Sequence, residues 1–249
     1  MPNADGPTAT PPPATDLWLR FGRVQGLALP TALSVIAGMV DLTGFLSFDR
    51  LFTAHITGNL VVVVALAGRG EAFHLARVLV IPMFIAALAT AWGLARVSGW
   101  RGVALARGFL RIQFVLLAGV AILSWVKHVS ADPHGLMAGV AAMGAVSAIA
   151  CQFALFGLAF PGGTSTAAMT GNLTNAVLSL MARMFPASPV TGAAREKTTY
   201  ALHLLAGFLG GCIVAAIAVS NLGDAAWVLP AALAGAVAVL PWEDRGSRE

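Results

Sequence analysis

The sequence predicts an all-α polytopic membrane protein built from two related halves of four apolar segments each. Three observations carry that expectation: the composition, a series of unbroken apolar runs of helix-spanning length, and a Thr-Gly-Asn motif that occurs twice. The chain of 249 residues is 58% hydrophobic and 10% charged. A soluble domain carries about 25% charged and about 45–50% apolar residues. So little polar surface cannot cover a core in water. Lipid is the solvent that fits, and one membrane domain is the expectation.

Residues 1–20 read as a disordered N-terminal tail. Pro2, Pro7, Pro11, Pro12 and Pro13 stand there among Thr, Ala and Asp, with nothing to bury. The tail lacks the cationic start and short apolar core of a signal peptide. Arg20 and Arg23 precede the first apolar run, as in an uncleaved cytoplasmic anchor. The apolar runs then follow as Val24–Phe48, Leu51–Gly68, Leu75–Val97, Gly108–Val126, Gly135–Phe160, Thr164–Phe185, Tyr200–Ser220 and Ala225–Leu240. About 20 helical residues cross about 30 Å of hydrocarbon, so the second and eighth runs are short for the task. Unbroken runs without polar–apolar alternation favour helices over a barrel. Residues 243–249 form a polar C-terminal tail.

Thr53-Ala54-His55-Ile56-Thr57-Gly58-Asn59-Leu60 returns 113 residues later as Thr166-Ala167-Ala168-Met169-Thr170-Gly171-Asn172-Leu173. Gly44 and Leu42 fall on Gly157 and Leu155 at the same offset. A fixed offset across a chain is the signature of duplication. The halves are residues 21–130 and 131–242. If all eight segments span, the loop with Arg101 and Arg107 lies outside when the N-terminus is inside. If the two Thr-Gly-Asn segments instead enter and leave on one side, six helices span and that loop is cytoplasmic. Each half then has three spans, which makes the halves an inverted repeat of the kind transporters use. The two topologies differ by one basic residue in the positive-inside balance, too little to choose between six and eight spans.

The run Gly38-Met39-Val40-Asp41-Leu42-Thr43-Gly44-Phe45, followed by Phe52-Thr53-Ala54-His55-Ile56-Thr57-Gly58-Asn59, resembles the first-half signature of the YoaK family of bacterial inner-membrane proteins. The similarity extends from about Gly22 to Leu240. The family pattern tends to place Gln-Asn ahead of its second Thr-Gly-Asn, whereas here Gln152 is followed by Phe153. The resemblance implies a multi-pass protein of the bacterial inner (plasma) membrane and supplies no substrate.

The doubled motif is the strongest chemical signal. Gly58 and Gly171 let the backbone leave helical geometry. Thr53, Thr57, Asn59, Thr166, Thr170 and Asn172 bring hydroxyl and amide groups that can satisfy freed backbone or contact a ligand. Two breaks at matching positions point to a midplane site where half-helix N-termini favour anions. The competing reading is packing, with small and amide side chains joining helices. Asp41 is the only acid between Asp16 and Asp49. It is either a functional intramembrane charge or a cap where the first helix ends near Val40. Its second-half counterpart is Ala154, so any role is asymmetric. His55, four residues before Asn59 and on its face if the segment is helical, is either a neutral packing residue or a protonatable partner of Asp41. Gln152 completes the candidate site.

Cys151 and Cys212 stand in apolar runs without His at ligand spacing and read as buried small hydrophobes. His128, Asp132 and His134 have no metal-ligand geometry. The Gly207–Gly211 and Gly135–Gly139 spacings read as internal helix contacts. No phosphate loop, catalytic triad or Cys/His cluster is present, so no enzyme, metal or cofactor is expected. The function expected is a small-molecule or ion transporter with its site between the two Thr-Gly-Asn segments. The rival is a non-transporting structural or regulatory membrane protein whose polar motifs hold helices together. The partners expected are the lipid bilayer and the substrate, with a second copy of the chain as an option and no nucleic acid.

Overall fold

The computed structural model describes residues 28–71, 75–159, 166, 169–185 and 192–239. The expected N-terminal tail with Arg20 and Arg23, and the C-terminal tail, lie outside the described residues. Among the described residues every element is helical: α1 (Ala28–Ser47), α2 (Ile56–Gly68), α3 (Leu75–Ser98), α4 (Gly102–Lys127), α5 (Leu136–Ala154), α6 (Met169–Met184), α7 (Gly192–Leu222) and α8 (Val228–Val239). A π-helical turn, Leu155–Ala159, extends α5, and a 3-10 turn, Gly223–Trp227, joins α7 to α8. The eight apolar runs thus become eight helices, with two departures at the motifs. The second run is helical only over the 13 residues of α2, and the described helix of the sixth is the 16 residues of α6.

Among the described residues five stretches are long and apolar enough to cross a membrane: Leu29–Ser47, Leu75–Ser98, Gly102–Lys127, Leu136–Ala159 and Thr198–Val239. Val61, Val64, Ile85, Val115, Ile122, Ile213 and Ile217 are all more than half exposed. Side chains of that size on every outer face would drive association in water. These helices mark a membrane protein.

Contacts fix the directions of the helices. Ser34 Oγ donates to the Leu204 carbonyl at 2.5 Å, Cys212 Sγ lies 3.6 Å from the Gly38 carbonyl, and Phe48 stacks on Trp227 at 5.4 Å. Rising numbers pair with rising numbers, so α1 and α7 run side by side in the same direction. Gln113 Nε2 donates to Gln152 Oε1 at 2.9 Å, while Gly144 packs on Val120, so α4 and α5 are antiparallel. Gly235 lies on the Phe114 ring and Ser130 Oγ donates to Asp224 at 3.0 Å, so α8 is antiparallel to α4. Gly139 meets Ala76, and Phe84 meets Phe153, so α3 and α5 run together. It follows that α1, α4 and α7 point one way and α3, α5 and α8 the other.

One end of the bundle gathers Phe48, Asp49, Ser130, Asp224 and Trp227. The buried Arg77, in the first turn of α3, bonds there to both the carbonyl and the carboxylate of Asp49. Residues between Asp49 and Arg77 therefore leave and return at the same end.

The main packing partners come in corresponding pairs. α1 packs on α7 as α5 packs on α3; α4 packs on α5 as α8 packs on α1; α2 packs on α3 as α6 packs on α7. The α1–α7 contact is the closest. A Cβ on Gly38 or Gly211 would collide with the backbone of the other helix, and one on Gly207 would stand 3.0 Å from the Thr31 carbonyl. This is the internal contact that the Gly-xxx-Gly spacing predicts.

Candidate functional site

The site begins with where α1 ends. The helix does not stop near Val40: it continues to Ser47, which leaves Asp41 inside a regular helix about 9 Å from its end. The chain then turns through Asp49 and Arg50, both in the left-handed region at φ 49° and 58°. Left-handed geometry is costly for a residue as bulky as Arg50. The grip of Arg77 on Asp49 holds that turn. Residues 51–55 come back non-helical along α1, lying over Gly44, whose missing side chain leaves room for the Thr53 methyl. A Cβ on Gly44 would stand 2.7 Å from that methyl.

The returning strand of chain carries backbone N–H groups that no helix satisfies, and Asp41 satisfies them. Its Oδ1 accepts from the Thr53 N–H at 2.8 Å, the Ala54 N–H at 2.7 Å and the Thr53 hydroxyl at 3.4 Å. Its Oδ2 lies 2.5 Å from His55 Nδ1. Asp41 is 5% exposed. Burial of an unpaired carboxylate is prohibitive; here every part of the group is engaged. Asp41 therefore does not cap the end of its own helix, as a helix ending near Val40 would require; its bonds go from inside α1 to the returning segment. His55 precedes the first residue of α2, so it does not share a helical face with Asn59, and its partner is Asp41.

Asn59 closes the other side of the break. Its Oδ1 accepts the Phe52 N–H at 3.0 Å, and its Nδ2 donates to the Phe52 carbonyl at 2.8 Å and the Ile56 carbonyl at 3.3 Å. One amide side chain thus pairs both backbone groups of Phe52, as a neighbouring peptide would. Phe52 packs on Phe45 with ring centroids 5.0 Å apart, and the His55 ring lies 6.0 Å from Phe52 and 5.6 Å from Phe208 of α7. Asp41, Phe45, Phe52, His55, Phe208 and Cys212 line a cleft of about 490 Å³, and Gly58 reaches it too.

The second half builds a different cluster. Gln152 is buried, its Nε2 donating to Thr166 Oγ1 at 2.5 Å and to the Leu33 carbonyl at 2.9 Å, while its Oε1 accepts from Gln113. Thr166 thus accepts from an amide, whereas Thr53 donates to a carboxylate. Asn172 is buried. Ala167 and Ala168 lie outside the described residues.

The motifs do not come together in one site. α2 packs on α3 and α6 on α7, and Thr57, Thr170 and Gly171 are exposed. Those three residues belong to neither of the buried polar clusters. The rest divide into the Asp41–Thr53–His55–Asn59 cluster and the Gln152–Thr166 cluster. Asp41 and the Leu33 carbonyl, their contact points on α1, stand eight residues or about 12 Å apart. Phe45, Phe208, Cys212 and Gln113 were not singled out by motif. Gln113 carries a signal, an uncharged amide in an apolar run; Phe208 carries none, since its position depends on how α7 docks.

The family described as "Protein of unknown function (DUF1275)" matches residues 29–240. The chain belongs to this family. The YoaK resemblance agrees with that membership, since YoaK-type proteins are members. No curated protein and no solved structure matches the chain. The matched span covers both polar clusters and the cleft.

Proposed function

We propose that this DUF1275-family protein is a small secondary transporter of the bacterial inner membrane, and not an enzyme, whose substrate or coupling site is the Asp41–His55 cleft. The observation that carries the reading is a buried carboxylate paired with a half-buried imidazole, set at a break between helices, on the wall of a cleft large enough for a small molecule. Ionisable groups inside membrane segments are costly and mark substrate or proton paths. Discontinuous helices at such sites are a recurrent transporter device.

The topology fits. The helix directions support six crossings, α1, α3 and α4 in the first half and α5, α7 and α8 in the second. The Thr198–Val239 stretch counts as two, because Gly223 at φ 55° lets the chain reverse. Residues 51–71 then form a re-entrant segment, supported by the Arg77–Asp49 contact. Three crossings per half invert one half against the other. The corresponding packing pairs support a pseudo-two-fold relation between them. Arg96, Arg101, Arg107 and Arg111 would then face the cytoplasm together with the N-terminus.

One observation favours the structural or regulatory reading: Asp41 and Asn59 both bond to the chain's own backbone. A native probe separates the two. Cys212 lines the cleft and Cys151 is buried. In a Cys151→Ala protein, a carrier exposes Cys212 to an impermeant thiol reagent in right-side-out and in inverted vesicles. A scaffold exposes it in neither.

A further inference from the structure

The cleft has a charge and a surface chemistry that together specify what it binds. Among the described residues Asp41 is its only acid, and no Lys or Arg lines it. The titratable side chains facing it are Asp41 from α1, His55 from the returning segment and Cys212 from α7; α2 contributes only Gly58. A helix N-terminus such as that of α2 favours an anion, but the chain already supplies that anion. The Asp41 carboxylate sits on the N–H groups of Thr53 and Ala54 and on His55, immediately before α2 begins. A second anion beside it would be repelled. Beside the aliphatic Leu42, the remaining side chains are aromatic: Phe45, Phe52 and Phe208. Ring faces attract cations and repel anions.

His55 sets the net charge. With both ring nitrogens protonated, the Asp41–His55 pair is neutral. Asp41 engages Nδ1, and Nε2 has no hydrogen-bond partner among the described residues. Loss of the Nε2 proton to water in the cleft leaves Nδ1–H donating to Asp41 and one uncompensated negative charge. A cation then restores neutrality, and His55 need not let go of Asp41.

We propose that the cleft binds a small organic monocation with apolar substituents, one cation displacing one proton from the Asp41–His55 pair. This deepens the transporter reading by naming a substrate class and an exchange stoichiometry, and it rests on that reading for its physiological meaning. The binding itself is separately testable.

Tetraphenylphosphonium and tetraphenylborate have nearly the same shape and opposite charge. Titrated against the purified full-length protein in an uncharged detergent, the phosphonium should saturate at one site and the borate should not. Below the titration of His55 the phosphonium affinity should fall about tenfold per pH unit, and in weak buffer about one proton should appear per cation bound. Asp41→Asn keeps an acceptor for the two N–H groups and removes the charge, so binding should weaken more than tenfold. His55→Asn keeps a donor to Asp41 and cannot titrate, so binding should persist and lose its pH dependence. Phe208→Leu, which touches no hydrogen bond of the break, should weaken binding several-fold and serves if Asp41→Asn does not fold. The proposal is overturned if the borate binds as well as the phosphonium, if Asp41→Asn or Phe208→Leu binds as the wild type does, or if no proton is released. Cys212 accessible from both sides with no phosphonium binding would remove the cation and leave the carrier. Phosphonium binding with Cys212 reached from one side only would keep the cation site and remove the carrier.

Discussion

At the scale of the residue, Asp41 combines a structural and a chemical task in one carboxylate. A charge at the centre of a membrane helix costs about 2.5–3.5 kcal/mol on insertion scales. Two backbone N–H groups, a hydroxyl and an imidazole compensate it here. The roles separate by substitution. Asp41→Ala strands the Thr53 and Ala54 N–H groups in a buried setting, at about 1–3 kcal/mol each. We expect a clear loss of thermal stability in detergent. Asp41→Asn retains an oxygen acceptor and should lose much less, with His55 switching to the tautomer whose Nδ1 accepts from the new amide. Equal losses in the two variants would mean that the carboxylate does not brace the break. Asp41, His55, Thr53 and Asn59 were legible because polar groups are rare in runs this apolar. That Thr57, Thr170 and Gly171 are exposed was not legible, because a motif gives spacing along the chain, whereas exposure depends on which neighbour each helix meets.

At the scale of the element, two devices shape the first half. The first is the break at residues 51–55, a place where helical hydrogen bonding stops and side chains of α1 and α2 take over. The Asn59 amide does for Phe52 what a neighbouring backbone would do, which lets non-helical chain pack among helices with its polar groups paired. The second is the α1–α7 contact. Gly211 meets the Val35 backbone with no room for a Cβ, whereas Gly210, next to it, has nothing within 4 Å of where a Cβ would stand. Gly211→Ala forces two helices apart because backbone cannot yield as a side chain can. A loss of about 1–3 kcal/mol is the expected scale of overpacking, seen as a lowered melting temperature. Gly210→Ala should be neutral or slightly stabilising, since Ala is the better helix former. Similar effects at both positions would place the close contact elsewhere. Widening the α1–α7 contact also shifts Phe208 relative to His55, so Gly211→Ala should disturb the cleft as well.

At the scale of the whole molecule, helix direction decides how the chain sits in the bilayer. Gly102 begins α4 at the Arg-rich end, and Ala131 lies beyond the opposite end of α4, next to Ser130 and its Asp224 contact. In a background with Cys151 and Cys212 replaced by Ala, Gly102→Cys should resist an impermeant reagent added to intact cells. Ala131→Cys should react within minutes. The reverse pattern would turn the molecule over; two reactive positions would break the six-span reading. The same directions place residues 51–71 and the cleft toward the Ala131 end, where the chain leaves α1 and returns to α3.

The sequence alone determined the solvent, the helical class, the eight apolar segments and the duplicated motif. Each of these follows from local composition and period, which need no knowledge of neighbours. It also exposed the polar residues of the site, because a carboxylate among apolar side chains must find partners. Only the tertiary structure decided which partners. Whether Asp41 caps its own helix or another segment, whether two motifs share one site, and which aromatic rings wall the cleft all depend on long-range docking. The carboxylate reaches across 12 residues to Thr53, and the ring that closes the cleft comes from α7, far along the chain. Contacts at that separation are set by how whole helices pack, and packing depends on shape complementarity that no single segment encodes.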